Sequence, residues 1–218
     1  MRKTILIDIF DRLYSFFGPQ HWWPGDTRLE IIVGAILTQN TSWSNVERAI
    51  KNLKNCGILS SPQEIEHVSP KRLARLIRPS GYYNVKTKRV KEFTHFLSSR
   101  YGGVLSRMAR QKTDILREEL LNVNGIGPET CDSILLYAFD RPVFVVDAYT
   151  KRIFSRHGII GRSDGYDTVQ DIFTRALKTD RRLFSEYHAL IVKTGKDFCR
   201  KKPNCAACPL RRYSRNAQ

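Results

Sequence analysis

Asp147 is the first residue of this chain that points to chemistry. Five apolar residues, Pro142 to Val146, precede it. An acid in an apolar setting is costly unless it has a partner or a chemical task. Its carboxylate could stabilise a positive charge that develops on a substrate, and it could also orient a water molecule. Asp is equally a favoured N-cap, and the segment from Ala148 to Phe154 predicts a helix that Asp147 would cap.

A two-glycine turn lies upstream of this acid. Gly125 and Gly127 stand between two segments of helical pattern, and Glu129 precedes Asp147 by eighteen residues. The pattern predicts a tight hairpin between two helices, with backbone N–H groups pointing outward where the second helix begins. Such a helix start binds phosphate without base preference, because the exposed N–H groups and the helix dipole both favour an anion. A phosphate clamp combined with an acid indicates chemistry on nucleic acid.

The net charge agrees with such a partner. The chain has 218 residues, a formal net charge of +16 and an isoelectric point near 9.9. This excess favours a polyanion such as DNA, although charge alone does not separate an enzyme from a structural DNA-binding protein. The sequence has no run of about eighteen apolar residues, so we expect no membrane span. Asp8, Asp11 and the lack of a small-residue cleavage site argue against a signal peptide and favour a cytoplasmic, nucleoid-associated protein.

These features resemble the helix-hairpin-helix DNA glycosylases of the endonuclease III superfamily. In that superfamily the hairpin is followed by a Gly/Pro-rich loop and a catalytic aspartate, which corresponds to Asp147. Further points of likeness are the run Leu37-Thr-Gln-Asn-Thr41 and a terminal Cys-x2-Cys cluster, so that the resemblance covers nearly the whole chain. It implies a base excision repair enzyme that flips a damaged nucleotide out of double-stranded DNA and hydrolyses its N-glycosidic bond, acting as a monomer.

Position 129 decides which reaction the resemblance implies. The endonuclease III pattern carries a lysine there, whose amine attacks the sugar C1′, forms an imine and permits strand cleavage. Glu129 cannot form a Schiff base, so lyase activity by that route is not expected. With Thr38 to Thr41, this residue is similar to the bacterial 3-methyladenine DNA glycosylase III branch, which implies release of alkylated purines of the 3-methyladenine and 7-methylguanine type. Glu129 is a catalytic candidate beside Asp147, or an acid that complements the dipole of its helix.

The three tryptophans are candidates for the base pocket. Trp22, Trp23 and Trp43 fall within 22 residues and flank Pro24 and the Gln39 loop. An N3- or N7-alkylated purine carries a positive charge, and indole faces attract it more than its neutral parent, by about 0.5–2 kcal/mol per contact. Adjacent residues cannot both face one pocket. We therefore expect one of Trp22 and Trp23 to stack on the base with Trp43, while the other closes the lobe interface.

Other residues are expected to contact the DNA. Flipping a nucleotide out of the stack costs a few kcal/mol, and inserted side chains offset this cost. Gln39 matches the family position that enters the duplex, and Tyr82 lies where the family carries a second wedge. Ordinary packing is the alternative for Tyr82, and a turn role is the alternative for Asn40. The predicted DNA-binding set is Gln39, Asn40, Tyr82, Gly125, Gly127, Thr130 and Lys193.

A cysteine cluster near the C-terminus is the candidate metal site. Cys199, Cys205 and Cys208 match three of the four cysteines that hold a [4Fe–4S] cluster in many members of the superfamily, and Ser214 stands in the fourth place. Three thiolates can bind a labile [4Fe–4S] or [3Fe–4S] cluster. Zinc fits less well because it needs four protein ligands and only His188 is even a remote extra donor. A loop without metal, held by packing, is the third alternative. The surrounding basic residues are expected to position the DNA backbone: Lys193, Lys196, Arg200, Lys201, Lys202, Arg211, Arg212 and Arg215.

The elements that must position these residues are helices. Apolar residues recur at helical spacing, and helices are predicted at residues 5–17, 29–37, from 42 or 44, from 70, and at 85–99, 112–121, 128–139, 147–157, 166–178 and 182–196. Gly18 ends the first, Asp26 or Thr27 caps the second, and Ser69 caps the helix from 70. The only strand-like candidate, residues 143–146, is too short to found a sheet. The sequence therefore predicts an all-α protein.

The resemblance also implies how the helices are arranged. Two helical lobes would enclose a DNA-binding cleft. One lobe would span residues 21–135 and contain the hairpin. The other would join residues 1–20 to residues 136–218 and end in the cysteine loop.

Two other functions are compatible with the sequence. One is an endonuclease III-like glycosylase for oxidised or mismatched pyrimidines. The other is a helix-hairpin-helix protein that binds DNA without catalysis. Asp147 favours an enzyme, because a pure binder has no need of an acid behind the hairpin.

Overall fold

The computed structural model describes residues 2–22 and 25–213, and their regular structure is helical. No strand occurs in these ranges, so the predicted all-α class is confirmed. None of the helices described is both long and apolar enough to span a bilayer. The helices are, in chain order, α1 Arg2–Phe17, α2 Arg28–Leu37, α3 Trp43–Asn55, α4 Pro62–His67, α5 Pro70–Leu76, α6 Tyr83–Tyr101, α7 Leu105–Met108, α8 Thr113–Leu121, α9 Pro128–Ser133, α10 Ala148–Arg156, α11 Tyr166–Ala176 and α12 Arg181–Asp197.

The chain divides into two compact units. The terminal unit joins Met1–Trp22 to Pro142–Gln218, and the middle unit is Trp23–Arg141. Each unit therefore holds part of the predicted machinery: the hairpin belongs to the middle unit, and Asp147 to the terminal unit. The predicted cleft between two lobes stays a prediction.

An aromatic core holds the terminal unit together. The ring of Phe144, in the apolar run before Asp147, stacks on Phe173 of α11 with 4.2 Å between centroids. Tyr187 of α12 is fully buried and donates a hydrogen bond of 2.9 Å to the carbonyl of Leu6 on α1. α1 ends as predicted, because Gly18 adopts a φ of 70° that favours glycine. This packing fixes the backbone that leads into Asp147.

The middle unit is built around α2 and α6. α2 is buried along most of its length and packs against α3, α6 and the segment after α9. Its cap is Thr27, whose side chain accepts from the backbone N–H of Glu30, and Ser69 caps α5 in the same way. Both are positions that the sequence predicted, since a side-chain oxygen there satisfies an N–H with no partner inside the helix.

Four features of the middle unit differ from the sequence prediction. The helix expected over residues 128–139 changes at Ile134 into a π-helical segment, Ile134–Ala138, in which all five side chains are buried. The short helices α4 and α7 and the 3₁₀ turn Arg78–Ser80 were not predicted. The helices α7 and α4 have four and six residues and span fewer than two turns, which is too short for hydrophobic periodicity to show.

Candidate active site

Asp147 caps the N-terminus of α10. Its Oδ1 accepts a hydrogen bond of 2.7 Å from the backbone N–H of Thr150 and one of 2.8 Å from the Thr150 hydroxyl. Only 8% of the residue is exposed. The capping role that the sequence suggested is therefore present, and it uses one of the two carboxylate oxygens.

The second oxygen faces a histidine. Oδ2 of Asp147 lies 3.5 Å from Nε2 of His188, a buried residue of α12. Burial raises the pKa of the Asp147 carboxyl, but the contact with His188 and the two bonds from Thr150 lower it, and the net result is a pKa below the ordinary value. Asp147 is consequently a buried carboxylate that stays ionised at neutral pH.

A glycine allows the two helices of this site to approach. A Cβ atom at Gly195 of α12 would clash with the ring of Tyr149, which follows Asp147 by two residues. Arg152 covers that ring at 4.9 Å from its centroid and donates to the carbonyl of Cys199 at 2.8 Å. Gly195 thus sets the close packing of α12 on α10 that brings His188 to Asp147.

The hairpin joins α8 to α9. Gly125 has a φ of 90°, which an L side chain rarely adopts, and Ile126 is buried and donates to the carbonyl of Val123 at 3.0 Å. A Cβ atom on Gly127 would have no described atom within 4 Å. The buried apolar residue anchors the turn, and the second glycine leaves its outer side open for a close approach by a ligand.

Gln39 is tied to this hairpin. Its side-chain amide donates to the carbonyl of Gly125 at 3.2 Å and to the hydroxyl of Thr130 at 3.0 Å, while its oxygen accepts from the guanidinium of Arg89. The stem of Arg89 lies against Gly125, where a Cβ would clash with it. The structure thus brings together three predicted DNA-binding residues and adds Arg89. Sequence reasoning missed Arg89 because it lies in an ordinary basic stretch of α6.

The other predicted DNA contacts lie on turns of the middle unit. Asn40 is exposed with a φ of 53°, the left-handed region that Asn tolerates, which agrees with its suggested turn role. Tyr82 follows Gly81 with a φ of 45° and is 71% exposed at the start of α6. Glu129 is exposed in the first turn of α9. An exposed tyrosine on a turn is suited to a wedge, but that role stays a prediction.

The described tryptophans are half-buried. Trp22, in the terminal unit, has the ammonium of Lys196 at 5.7 Å from its ring. Trp43, in the middle unit, donates from Nε1 to Glu47 at 3.0 Å, and its ring packs against Gly34 of α2. Trp23 and Pro24 lie outside the described residues. The predicted base pocket therefore stays a prediction.

Lys193 lies on the last part of α12. Its ammonium pairs with Asp197 at 2.7 Å and lies 5.7 Å from the ring of Phe17. Nearly half of its side chain is exposed, so it remains accessible to an anion. Its role in DNA binding stays a prediction.

Comparison with known proteins identifies the family. Residues 33–179 match the family described as HhH-GPD superfamily base excision DNA repair protein. The chain belongs to this superfamily. A protein of Methanocaldococcus jannaschii, named provisionally as a DNA repair glycosylase, is 51% identical over 211 residues, which cover 96% of this chain and 95% of that protein. The resemblance drawn from the sequence is thereby confirmed, and the protein is a base excision DNA glycosylase of the HhH-GPD superfamily.

The glycosylase is also similar to three other proteins. Endonuclease III of Thermotoga maritima is 29% identical over 184 residues, covering 84% of this chain and 80% of the relative. The Helicobacter pylori 3-methyladenine DNA glycosylase bound to 1,N6-ethenoadenine superposes with a TM-score of 0.76 at 29% identity, covering 88% of this chain and 97% of the other. A trapped endonuclease III–DNA covalent intermediate gives 0.84 at 22% identity over 98% and 95% of the two chains, a likeness of fold.

The cysteine loop of the glycosylase was tested as a cluster site. Cys199 and Cys208 are buried and Cys205 is exposed. Burial raises the pKa of the Cys208 thiol by more than its hydrogen bond with the backbone of Leu210 lowers it. Among the described residues no three His, Cys, Asp or Glu side chains converge to hold a metal ion, and Ser214 lies outside them. The described residues thus do not complete a cluster site, and no chemical step is assigned to one.

Proposed function

We propose that this glycosylase is monofunctional and acts, as a monomer, on alkylated purines of the 3-methyladenine and 7-methylguanine type in double-stranded DNA. The observation that carries the proposal is the state of Asp147: buried, ionised at neutral pH, and bound to its own helix through one oxygen only. Its second oxygen is the group available to the reacting sugar.

The proposed reaction needs few catalytic groups besides this carboxylate. When the bond between C1′ and the purine nitrogen breaks, its electron pair leaves with the base and positive charge develops on the sugar. The ionised Asp147 stabilises that charge, and a water molecule adds to C1′ and loses a proton. A purine alkylated at N3 or N7 is already cationic and leaves as a neutral base, so that no general acid is required.

Two observations support a cationic base as the substrate. The ring of Trp22 already attracts the ammonium of Lys196, as expected for an electron-rich face that also suits a charged purine. In addition, the H. pylori 3-methyladenine glycosylase is one of the solved structures that this chain resembles, at 29% identity.

Glu129 supports the monofunctional reaction. It lies exposed in the first turn of α9, at the position where the endonuclease III pattern carries its lysine. A carboxylate cannot attack C1′ to give an imine, so the reaction should stop at the abasic site.

The substrate is tested with four matched duplexes that contain 3-methyladenine, 7-methylguanine, thymine glycol or a T:G mismatch. Free base is separated from the oligonucleotide by chromatography. We expect release of the two alkylated purines. Release of thymine glycol or thymine instead would favour the alternative of a pyrimidine glycosylase, to which the likeness to T. maritima endonuclease III points.

The role of Asp147 is tested by Asp147→Asn. Asparagine keeps the N-cap but loses the charge, so base release should fall by about 100- to 1,000-fold while the melting temperature changes little. Asp180→Asn is the matched control, because Asp180 caps α12 through the backbone N–H of Leu183 at 2.8 Å. Undiminished release by the Asp147 variant would overturn the assignment.

A further inference from the structure

We infer that His188 is a positioning residue for Asp147: it holds the carboxylate oxygen that the helix cap leaves unused, so that this oxygen is fixed before the sugar arrives. The inference rests on the proposed function of Asp147 and concerns a residue that neither the sequence motifs nor the hairpin singles out.

The two oxygens of Asp147 are held differently. Oδ1 accepts both hydrogen bonds from Thr150, whereas Oδ2 faces His188 at 3.5 Å. The last torsion of an aspartate side chain has a broad energy minimum, so bonds to one oxygen do not fix the plane of the carboxylate. A contact to the other oxygen does, and His188 supplies it.

His188 is itself held firmly in place. It is buried on α12 with 7% exposure, and Gly195 follows it by seven residues, about two helical turns, on the same face. The ring of Tyr149 packs on Gly195. The packing of α10 on α12 therefore sets the distance between the imidazole and the carboxylate. A separation of 3.5 Å is long for a hydrogen bond, and such contacts often tighten when substrate binds.

Several other charged groups of α10 and α12 are engaged elsewhere: Glu186 accepts from the backbone N–H of Gln20, and Arg156 donates to the carbonyl of Arg200. Lys151 donates to the carbonyl of Asp164, and Arg152 covers the ring of Tyr149. On α12, Lys193 pairs with Asp197. Burial also raises the pKa of the Tyr187 hydroxyl well above its ordinary value, so that this neighbour of His188 stays neutral. Among these groups, His188 is the one that faces the carboxylate of Asp147.

The removal of His188 should therefore misplace Asp147 and also raise its pKa. In His188→Asn, single-turnover base release should slow by up to about 100-fold, with unchanged duplex affinity and KM. The acid limb of the pH–rate profile should move to higher pH, because a contact that lowers the pKa of Asp147 is lost. His188→Gln, which keeps a polar group of greater reach, should recover part of the rate.

Two controls separate positioning from a general loss of structure. His157→Gln removes a histidine from the C-terminal end of α10, within the same unit, and should leave the rate and the pH profile unchanged. In an Asp147→Asn background, His188→Asn should cause no further loss, since its effect acts through the carboxylate. An unchanged profile, a change in KM alone, or an equal loss in both backgrounds would overturn the inference.

A measurement without substrate tests the role of His188 independently of the proposed function. The carboxyl carbon of Asp147 can be followed by ¹³C NMR in the full chain, with and without His188. Its titration midpoint should rise in His188→Asn and, to a smaller extent, in His188→Gln. If the wild type releases none of the tested bases, the proposed function fails, yet this titration still decides the inference: an unchanged midpoint refutes it.

Discussion

At the scale of single residues, the carboxylate of Asp147 combines a structural task, the capping of α10, with the chemical task proposed for it. Capping places it at the positive end of the α10 dipole, which favours its charged form in a buried site. Glutamate would displace the charge by a methylene group, and asparagine would keep the cap without the charge. Aspartate meets both demands, which is why the two interpretations of this residue from the sequence do not compete.

Glu129 allows a gain-of-function prediction at the same scale. Because the side chain is exposed in the first turn of α9, there is room for lysine there, and its charge at the positive end of the helix dipole should cost only about 1 kcal/mol of stability. Glu129→Lys should then give a covalent adduct with damaged duplex on borohydride treatment, because its amine can attack C1′. Glu129→Gln is the control without an amine. An adduct formed by the wild type at equal yield would refute the monofunctional assignment.

The residues that contact Asp147 and Gln39 could not be predicted from the sequence. His188 lies 41 positions after Asp147, and Arg89 lies 50 positions after Gln39. Each contact depends on the packing of two helices that no local pattern specifies. The hairpin glycines and the capping aspartate can be predicted from the sequence, because the local backbone conformation at a turn or a helix start favours these residue types. In the sequence His188 is only a remote candidate for a zinc ligand, because no local pattern shows that α12 packs on α10.

At the scale of elements, the sequence predicted most helices because their apolar faces and caps are local features. The predicted helices at 85–99 and 182–196 correspond to Tyr83–Tyr101 and Arg181–Asp197. The π-helical segment Ile134–Ala138 was not predicted, since its side chains are buried on all sides and show no amphipathic period. The burial of this segment against α2 depends on tertiary packing, and it produces no amphipathic period in the sequence.

The two helices of the hairpin are joined by a buried ion pair. Arg117 of α8 donates two hydrogen bonds, of 2.8 and 3.2 Å, to the carboxylate of Asp132, which is fully buried in α9. Asp132→Ala should lower the free energy of unfolding by about 1–3 kcal/mol in urea denaturation, because it removes the buried carboxylate that accepts two charge-assisted hydrogen bonds from Arg117. Asp171→Ala breaks an exposed pair with Arg175 and should cost less than about 0.5 kcal/mol. Equal losses would show that burial of the first pair is unimportant.

Lys86 should make the stability of the protein dependent on pH. It is buried in α6, and its ammonium donates to the carbonyl of Ser80 at 2.6 Å, just before the Tyr82 turn. Burial, with the charge of Arg89 as a lesser cause, lowers its pKa from 10.5 to about 8.

The unfolded chain therefore binds more protons than the folded one between about pH 8 and 10.5, and stability contributed by this group rises with pH across that window. In Lys86→Met this contribution should vanish. The free energy of unfolding in urea can be measured for both proteins at pH 7.5 and pH 10. It should change less favourably between the two pH values in the variant than in the wild type. Parallel behaviour of wild type and variant would mean that Lys86 keeps an ordinary pKa.

At the scale of the whole molecule, Asp147 and the hairpin belong to different units although only eighteen residues separate Glu129 from Asp147. The boundary at Arg141 falls between them. A loss of DNA binding can therefore be produced in the middle unit without touching Asp147, and a loss of chemistry in the terminal unit without touching the hairpin. Binding and base release should be separable by mutation for this reason.

The net charge of +16 predicts that the affinity for DNA depends strongly on salt. Contacts with phosphates release counterions, so the affinity for undamaged duplex should fall by about 10³- to 10⁵-fold between 50 and 200 mM salt if six to ten phosphates are contacted. Exposed lysines of the cysteine loop, Lys201 and Lys202, are candidates for such contacts, and each glutamine substitution should reduce the logarithmic salt slope by about 0.9. Fluorescence anisotropy with labelled duplex gives these slopes.

The rate of base release should respond differently to salt. With the duplex at saturating concentration, single-turnover release depends on the buried pair of Asp147 and His188, which salt screens far less than exposed charges. The rate of base release should therefore stay nearly constant over the range of salt concentration in which the affinity for DNA falls steeply. A rate that fell in parallel with affinity would mean that exposed charges, rather than the buried carboxylate, govern the chemical step.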